Sequence, residues 1–239
     1  TAACVKHFAA NSQETNRNAN DSRVSQRALR ELYLRTFELA VRISNPWTVM
    51  TAYNSINGKP TCEDISLTET VLRDDWNYKG LVVSDWNAGS NATASMVAGN
   101  DMLQPGQDKQ YHELLANAKN GSLPMAVLDR NVKRILQFIV KCHNFNNYTY
   151  SNEPDLKQHA ADDRKIGAEG MVLLKNENVL PLLAGQNVAL YGCTSYDIIP
   201  GGTGFGGTTV GCYTVSLVEG LRNAGFSVYK PLINQYKKH

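Results

Sequence analysis

Short apolar runs alternate with longer amphipathic segments in the first part of the chain. The apolar runs predict strands over 3–8, 48–53, 80–86 and 100–106. The segments between and after them have apolar residues at helical spacing and predict helices over 22–43, 66–76, 90–98, 112–120 and 124–142, the first with Ser22 as its N-cap. Strands that alternate with helices in this way are typical of right-handed crossovers and a parallel sheet.

The pattern changes near residue 144. Residues 144–155 are polar and aromatic without a period, so we interpret them as a linker. Beyond this segment the sequence predicts helices over 156–174 and 213–223, strands over 186–192 and 226–229, and a glycine-rich loop at 201–207. Residues 156–239 therefore begin a second α/β unit.

The number of strands suggests that neither unit is whole. A closed eight-stranded parallel barrel takes about 250 residues, whereas only four barrel-type strands precede the linker. Residues 1–143 are therefore expected to form half of a TIM-type barrel. The second unit has only two predicted strands before the chain ends at His239. We expect the chain to be a fragment of a longer protein.

Composition excludes several classes of function. An apolar share of 42% with 19% charged residues favours a folded soluble protein. The net charge is +2, and basic and acidic residues are mixed, which disfavours nucleic-acid binding. No apolar run is long enough for a membrane span. The five cysteines are far apart and lack metal-ligand spacing, so no metal or other cofactor is expected. The compartment stays open, with a secreted or periplasmic location favoured over a cytoplasmic one.

Candidate chemistry lies at the predicted strand ends. The run Gly80-Leu-Val-Val-Ser-Asp85-Trp86 is an apolar strand that ends on a carboxylate followed by an indole. The carboxyl ends of barrel strands meet at one rim and carry the active site. The other candidates at strand ends are Lys6 and His7 on the first strand, Tyr53 on the second, and Asp101, which opens the fourth. A carboxylate, hydrogen-bond donors and an aromatic surface are what a sugar-cleaving site requires.

The residues alone leave other interpretations open. Asp85 could cap the following helix, Tyr53 and Trp86 could belong to the core, and Lys6 and His7 could be a solvated strand end. The glycine-rich loop could cradle a phosphate, but it lacks Gly-Lys-Ser/Thr and the spacing of the dinucleotide fingerprint.

Taken in order, the motifs resemble those of the family 3 glycoside hydrolases. The similar segments are Lys6-His7-Phe8-Ala-Ala-Asn11-Ser-Gln13-Glu14, Val49-Met50-Thr-Ala-Tyr53-Asn54, Leu72-Arg73-Asp74, Val82-Val83-Ser84-Asp85-Trp86, Gly99-x-Asp101-Met102-x-x-Pro105-Gly106, and Val172-Leu173-Leu174-Lys175-Asn176. The resemblance covers nearly the whole chain. It implies an α/β chain that comprises the second half of a (β/α)8 TIM-type barrel followed by the start of an α/β (αβα) sandwich domain.

The resemblance also implies roles for individual residues. Asp85 matches the nucleophile of a retaining, exo-acting β-glucosidase, which forms a covalent glycosyl intermediate. The residues implied to bind the nonreducing-end sugar of a β-linked glucoside or oligosaccharide, or to hold the nucleophile, are Lys6, His7 and Tyr53, with Trp86 at the aglycone subsite and Met50 lining the pocket. In the family the bond between the lysine and histidine is commonly cis.

The resemblance places the acid/base glutamate outside this chain. Glu169, Glu177 and Glu219 lie in the wrong context for that role. We therefore expect the remaining segments of the enzyme, on this polypeptide or on a second chain, to complete the site.

Two departures from the family pattern bear on substrate. Ala9-Ala10 follows Phe8 where the N-acetylglucosaminidase branch has Pro-Gly, which favours the glucosidase branch. Phe205 replaces the serine that reaches the sugar in the family's glycine-rich loop. A β-xylosidase, an exo-glucanase and a noncatalytic sugar-binding subunit remain alternatives.

Overall fold

The chain forms two compact units, Thr1–Asn152 and Glu153–His239. The structure, a computed structural model, describes residues 2–201 and 213–236. The glycine-rich loop beyond Gly201 lies outside the described residues, and Phe205 lies there with it.

The first unit contains six strands and five α-helices in its described part. Its strands are β1 (Cys4–Phe8), β2 (Asp21–Ser22), β3 (Thr48–Thr51), β4 (Ser55–Ile56), β5 (Lys59–Pro60) and β6 (Leu81–Val83). Its α-helices are α1 (Gln26–Ala28), α2 (Arg35–Ser44), α3 (Ala92–Ala98), α4 (Asp108–Asn120) and α5 (Met125–Ile139). Two π-helical segments, Leu29–Tyr33 and Ser66–Asp75, and two 3-10 turns, Thr61–Glu63 and His143–Asn146, complete it.

A parallel sheet organises this unit. β1, β3 and β6 pair in chain order, with Val5 opposite Val49 and Val49 opposite Val82. Helical segments connect the three strands, so the chain has the α/β character that the alternating pattern predicts. The predicted fourth strand is reduced to one parallel bridge between Val83 and Met102.

The apolar composition of β6 follows from its place in the sheet. All three of its residues are buried, and strands covered on both faces must be apolar throughout. β1 differs, because burial increases along it only toward Phe8.

Side-chain caps determine where the helices begin. Ser22 was expected to cap the first helix, but it lies in β2, and Ser25 is the cap because its side chain accepts a hydrogen bond from the Ala28 N–H. Asn91 likewise accepts from the Ala94 N–H and starts α3. Each cap satisfies one of the N–H groups that a helix leaves unpaired at its start. The expected N-cap was wrong because the short β2–β4 pairing holds Ser22 in extended backbone.

The core of the first unit lies between β1, β3 and the surrounding helical segments. Phe8 contacts Phe37 and Trp76 edge to face, with ring centroids 5.2 and 5.8 Å apart. Leu72, from the π-helical segment Ser66–Asp75, belongs to the same buried cluster. The helical segments on either side therefore meet at the end of β1 that carries the predicted site residues.

The second unit is smaller in its described part. It contains α6 (Leu156–Glu169), β7 (Asn187–Val188), a 3-10 turn at Cys193–Ser195, α7 (Leu217–Asn223), β8 (Ser227–Val228) and α8 (Lys230–Tyr236). β7 and β8 pair in parallel. The predicted helix over 156–174 ends at Glu169, and α8 was not predicted. Within residues 2–201 and 213–236, no helix combines the length and apolarity that crossing a membrane requires.

Replacing Leu72 by alanine is expected to destabilise the first unit strongly. Leu72 is 0% exposed in the main core cluster, and truncation of a buried leucine costs about 2–5 kcal/mol of unfolding free energy. The same change at Leu32, which is 68% exposed, should have little effect. Denaturant unfolding of the two variants, followed by circular dichroism, compares them. Equal losses of stability would contradict the assignment of the core.

Candidate active site

The carboxyl ends of β1, β3 and β6 bring four predicted site residues together. Because the strands are parallel and neighbouring, their carboxyl ends lie at one edge of the sheet. His7 lies near the end of β1, Tyr53 follows β3 by two residues, and Asp85 and Trp86 follow β6. The bond between Lys6 and His7 is cis, as the resemblance implied.

Asp85 is the buried carboxylate of this edge. The residue is 5% exposed. Its Oδ1 accepts a hydrogen bond of 2.7 Å from the backbone N–H of Trp86, and its Oδ2 lies 3.3 Å from His7 Nε2. Within the part of the chain that the structure describes, Oδ2 has no partner of hydrogen-bonding geometry. One carboxylate oxygen is therefore held by the backbone, and the other is left available.

The His7 imidazole is partly buried among charged side chains. Burial lowers its pKa below the ordinary value, and the negative charge of Asp85 only partly opposes this effect. The positive charges of Lys6 and Arg17 lower the pKa further. At neutral pH the histidine is therefore mainly neutral, so it does not form a fixed ion pair with Asp85.

Tyr53 completes the group around the carboxylate. Burial raises the pKa of its phenol, and the negative charge of Asp85 raises it as well. The Arg17 guanidinium lies 4.6 Å from the centre of the Tyr53 ring, in the geometry of a cation–π contact. Arg17 is itself held by Glu14, with Nη1 2.8 Å from Oε2. Tyr53 therefore stays a protonated donor at neutral pH, with its ring supported from the loop after β1.

The remaining predicted binding residues are less buried. Trp86 is 43% exposed, as an aromatic surface for a ligand would be. Lys6 is exposed, and Met50 is half-buried on β3 opposite Val83. No bond links Lys6 to Asp85 among the contacts of the described residues.

The loop after Asp85 is tied at its far end. Glu63 Oε1 accepts hydrogen bonds from the Ser90 N–H at 2.6 Å and the Asn91 N–H at 2.9 Å. Gly89 has a φ of +78°, and a Cβ there would lie 2.6 Å from Cys62 Sγ. The loop that carries Trp86 is thus packed tightly against the Thr61–Glu63 turn.

Asp101 does not lie at the rim with the other candidates. It lies at the start of the fourth extended segment and is buried. It therefore lies away from the edge of the sheet where the strands have their carboxyl ends. Its Oδ2 accepts from Arg73 Nη2 at 2.8 Å and from the Val82 N–H at 2.9 Å. Sequence reasoning also missed Arg17, because a single arginine in a polar loop carries no periodic or motif signal.

The glutamates in the second unit have local partners. Glu177 pairs with Lys175 at 2.7 Å, and Glu219 forms a capping box with Ser216 at the start of α7. The backbone hydrogen bond from Ser216 lowers the pKa of Glu219, which is the opposite of what a general acid needs. Among residues 2–201 and 213–236, no group of three or more histidine, cysteine, aspartate or glutamate side chains could hold a metal ion.

A buried carboxylate at the carboxyl edge of a parallel sheet, beside an imidazole, a phenol and an exposed indole, is typical of α/β proteins that act on sugars. Residues 1–138 match the Glycosyl hydrolase family 3 N terminal domain. The chain belongs to glycosyl hydrolase family 3.

Similar proteins include two curated relatives. Beta-glucosidase B of Emericella nidulans is 41% identical over 234 residues, which cover 93% of this chain and 27% of the relative. Thermostable beta-glucosidase B of Acetivibrio thermocellus is 41% identical over 195 residues, which cover 80% of this chain and 25% of the relative. The chain therefore spans about a quarter of the length of these relatives.

Solved structures share the fold. Beta-glucosidase 3B from Thermotoga neapolitana in complex with alpha-D-glucose superposes with a TM-score of 0.90 at 44% identity, covering 99% of this chain and 34% of that chain. An exo-beta-xylosidase in complex with a xylobiose aziridine probe superposes with a TM-score of 0.74 at 27% identity, covering 94% of this chain and 32% of that chain.

The pKa of His7 is expected to move in opposite directions in two variants. Asp85→Asn removes the negative charge that favours imidazolium, so the pKa should fall further below its ordinary value of about 6.5. Lys6→Gln removes a positive charge and should raise it. NMR titration of labelled histidine, with the signal assigned through His7→Gln, measures both shifts. A rise in Asp85→Asn would contradict the geometry of the pair.

Proposed function

We propose that this chain supplies the nucleophile of a retaining, exo-acting β-glucosidase. The observation that carries the proposal is the Asp85 carboxylate, which is buried, bonded at Oδ1 to the backbone N–H of Trp86, and 3.3 Å from His7 Nε2 at Oδ2. Membership of glycosyl hydrolase family 3 and the glucose-bound relative from Thermotoga neapolitana support the choice of a glucoside.

In the proposed reaction, Asp85 Oδ2 attacks the anomeric carbon of the nonreducing-end glucosyl residue. The bond from that carbon to the leaving oxygen breaks, and an acid residue protonates this oxygen. Water then attacks the same carbon while the former acid takes its proton, and Asp85 leaves as a carboxylate. The Trp86 N–H stabilises the negative charge on Asp85 before attack and after release.

The neighbouring side chains have distinct proposed roles. His7 and Tyr53 orient Asp85 and donate hydrogen bonds to sugar hydroxyls, and Lys6 adds a charged donor at the same edge. Trp86 offers its exposed indole to the leaving group, and Met50 lines the pocket.

We also propose that the acid/base glutamate comes from outside this chain. In a retaining pair the two carboxyl groups lie about 5–5.5 Å apart, whereas Glu177 and Glu219 of the second unit are engaged by Lys175 and Ser216. The chain spans 27% of the length of the Emericella relative, so further segments of the enzyme are available to supply it, on this polypeptide or on a second one.

The finer fold assignment fits the same proposal. Residues 1–143 would form the second half of a (β/α)8 barrel that carries the nucleophile, residues 144–155 a linker, and residues 156–239 the beginning of an α/β sandwich. The sheet order β1, β3, β6 and the Val83–Met102 bridge support a run of consecutive barrel strands.

A pentoside is the second candidate substrate. The similar structure of an exo-beta-xylosidase and the relative from Bifidobacterium longum named exo-alpha-(1->6)-L-arabinopyranosidase, 37% identical over 185 residues, favour including it. Both pentopyranosides lack the C6 hydroxymethyl group, so the shape of the pocket beside that carbon distinguishes a glucoside from a xyloside. The L-arabinopyranoside also has the opposite configuration at C4, so the contacts to the C4 hydroxyl distinguish it as well.

Asp85→Asn in the complete enzyme should lower kcat for nitrophenyl β-glucoside by more than about 10³-fold, because the amide cannot act as the nucleophile. Asp74→Asn is the matched control, since Asp74 is exposed, and should keep full activity. A 2-fluoroglucoside with an activated leaving group should label a peptide containing Asp85 in the unmodified enzyme. A label on another peptide, or an active Asp85→Asn variant, would refute the assignment.

Nitrophenyl β-glucoside should be hydrolysed with a higher kcat/KM than nitrophenyl β-xyloside or nitrophenyl α-L-arabinopyranoside. We expect at least about a tenfold preference over the xyloside, the effect of one hydroxymethyl group in a fitted pocket. The arabinopyranoside also has the opposite configuration at C4, so the preference over it should be at least as large. Initial rates of the complete enzyme on the three substrates measure it. A preference for either pentoside would replace the glucosidase proposal, and binding without turnover of any of them would favour the noncatalytic alternative.

A further inference from the structure

In the part of the chain that the structure describes, β6 has a neighbouring strand on one side only. β3 pairs with it along Leu81–Val83, whereas on the other side the ladder contains a single bridge, from Val83 to Met102. The strand is nevertheless buried along its whole length. Buried backbone N–H and C=O groups must find partners, so something other than a full strand has to satisfy the open side.

Asp101 satisfies that side at Val82. The Val82 N–H donates to Asp101 Oδ2 at 2.9 Å, and the Val82 carbonyl accepts from the Asp101 N–H at 2.8 Å. One residue thus bonds both main-chain groups of Val82, once through its side chain and once through its backbone. Asp101 is 2% exposed, so water does not compete for these bonds.

Arginines hold the Asp101 carboxylate in place. Arg73 Nη2 donates to Oδ2 at 2.8 Å, and Arg134 Nη1 donates to Oδ1 at 3.2 Å. Burial raises the pKa of Asp101, and the positive charge of Arg73 opposes that rise. Arg73 also donates to the Gly80 carbonyl at 3.0 Å, so the pair is bonded to the backbone before β6 as well as within it.

The bonds at Val82 lie three residues before Asp85. Between them, the Ser84 N–H donates to the Met102 carbonyl at 3.0 Å, and Ser84 Oγ accepts from the Gln104 N–H at 2.9 Å. The carboxylate of Asp85 is bonded to the next residue's N–H and lies beside His7. The position of the Asp85 carboxylate at the sheet edge therefore depends on the position of the β6 backbone.

We propose that Asp101 is a positioning residue of the active site, which holds β6 through Val82 so that Asp85 faces the anomeric carbon at the right distance. The proposal rests on the nucleophile role of Asp85 proposed above. Asp101 itself does not touch the substrate and acts through the strand. A misplacement of about 1 Å at a reacting atom costs up to about 10²-fold in rate, so small movements of β6 are enough to matter.

The alternative is an ion cluster that only stabilises the fold. Glu69 distinguishes the two, because it shares the arginines but, among the hydrogen bonds and ion pairs of the described residues, has none to β6. Arg134 Nη1 lies 3.0 Å from Glu69 Oε1, and Arg130 Nη1 lies 3.4 Å from the same oxygen. Glu69→Gln is therefore the matched control for Asp101→Asn, since both changes replace a carboxylate by an amide within one network.

The test compares these variants in the complete enzyme, at a temperature where circular dichroism shows each to be folded. Asp101→Asn should lower kcat for an activated aryl β-glucoside by about ten- to a hundredfold while KM changes less than about twofold. Labelling by the 2-fluoroglucoside should slow by the same factor. Glu69→Gln should lower the melting temperature and leave kcat within about twofold of the unmodified enzyme.

Equal kcat values in the folded Asp101→Asn and unmodified enzymes would overturn the positioning role, as would an equal loss of kcat in Glu69→Gln. If Asp101→Asn does not fold, Arg73→Lys decides by the same comparison, because it keeps the positive charge but loses the planar donor to Asp101. Activity that survives Asp85→Asn would instead refute the proposed function, so the two failures are separable.

Discussion

The structure around the site depends on one constraint, which is that a short strand buried on both faces must satisfy its backbone on the side where no full strand accompanies it. β6 meets this requirement through Asp101, whose carboxylate takes the place of a neighbouring carbonyl at Val82. A carboxylate can do this in a dry interior only if its charge is balanced, and Arg73 and Arg134 provide that balance. The Asp101 carboxylate, which lies in the segment after α3, thereby joins that segment to the π-helical segment Ser66–Asp75 and to α5.

Much of the fold could be predicted from the sequence because period and burial agree in its longer elements. The three strands of the main sheet and helices such as α5 fall where apolar runs and helical spacing predict them. The differences arise where local pattern competes with pairing. Ser22 has the chemistry of a cap, yet β4 pairs with the strand that contains it. The extended segment near Met102 forms only a bridge to Val83, and the Asp101 side chain bonds the Val82 N–H where a neighbouring strand would supply a carbonyl.

The candidate site was predictable to the extent that it lies at strand ends. The sequence predicted that His7, Tyr53 and Asp85 lie close together, because parallel strands place their carboxyl ends at one edge of the sheet. The contact of Arg17 with Tyr53 and the hydrogen bonds of Asp101 to Val82 could not be predicted, because both join segments far apart in the chain. Arg17 contacts Tyr53 from the loop after β1, and Asp101 contacts β6 from the segment after α3. Neither position repeats with a secondary-structure period.

The loop that follows Asp85 has a consequence for the thermodynamics of the ligand binding proposed at Trp86. Its near end is bonded at the Trp86 N–H and its far end at Glu63, and Gly89 packs against Cys62 with no room for a side chain. The loop backbone is therefore already ordered in the folded protein. A molecule that stacks on the indole of Trp86 meets a surface that is already ordered, so its affinity is not reduced by the entropy of fixing that loop.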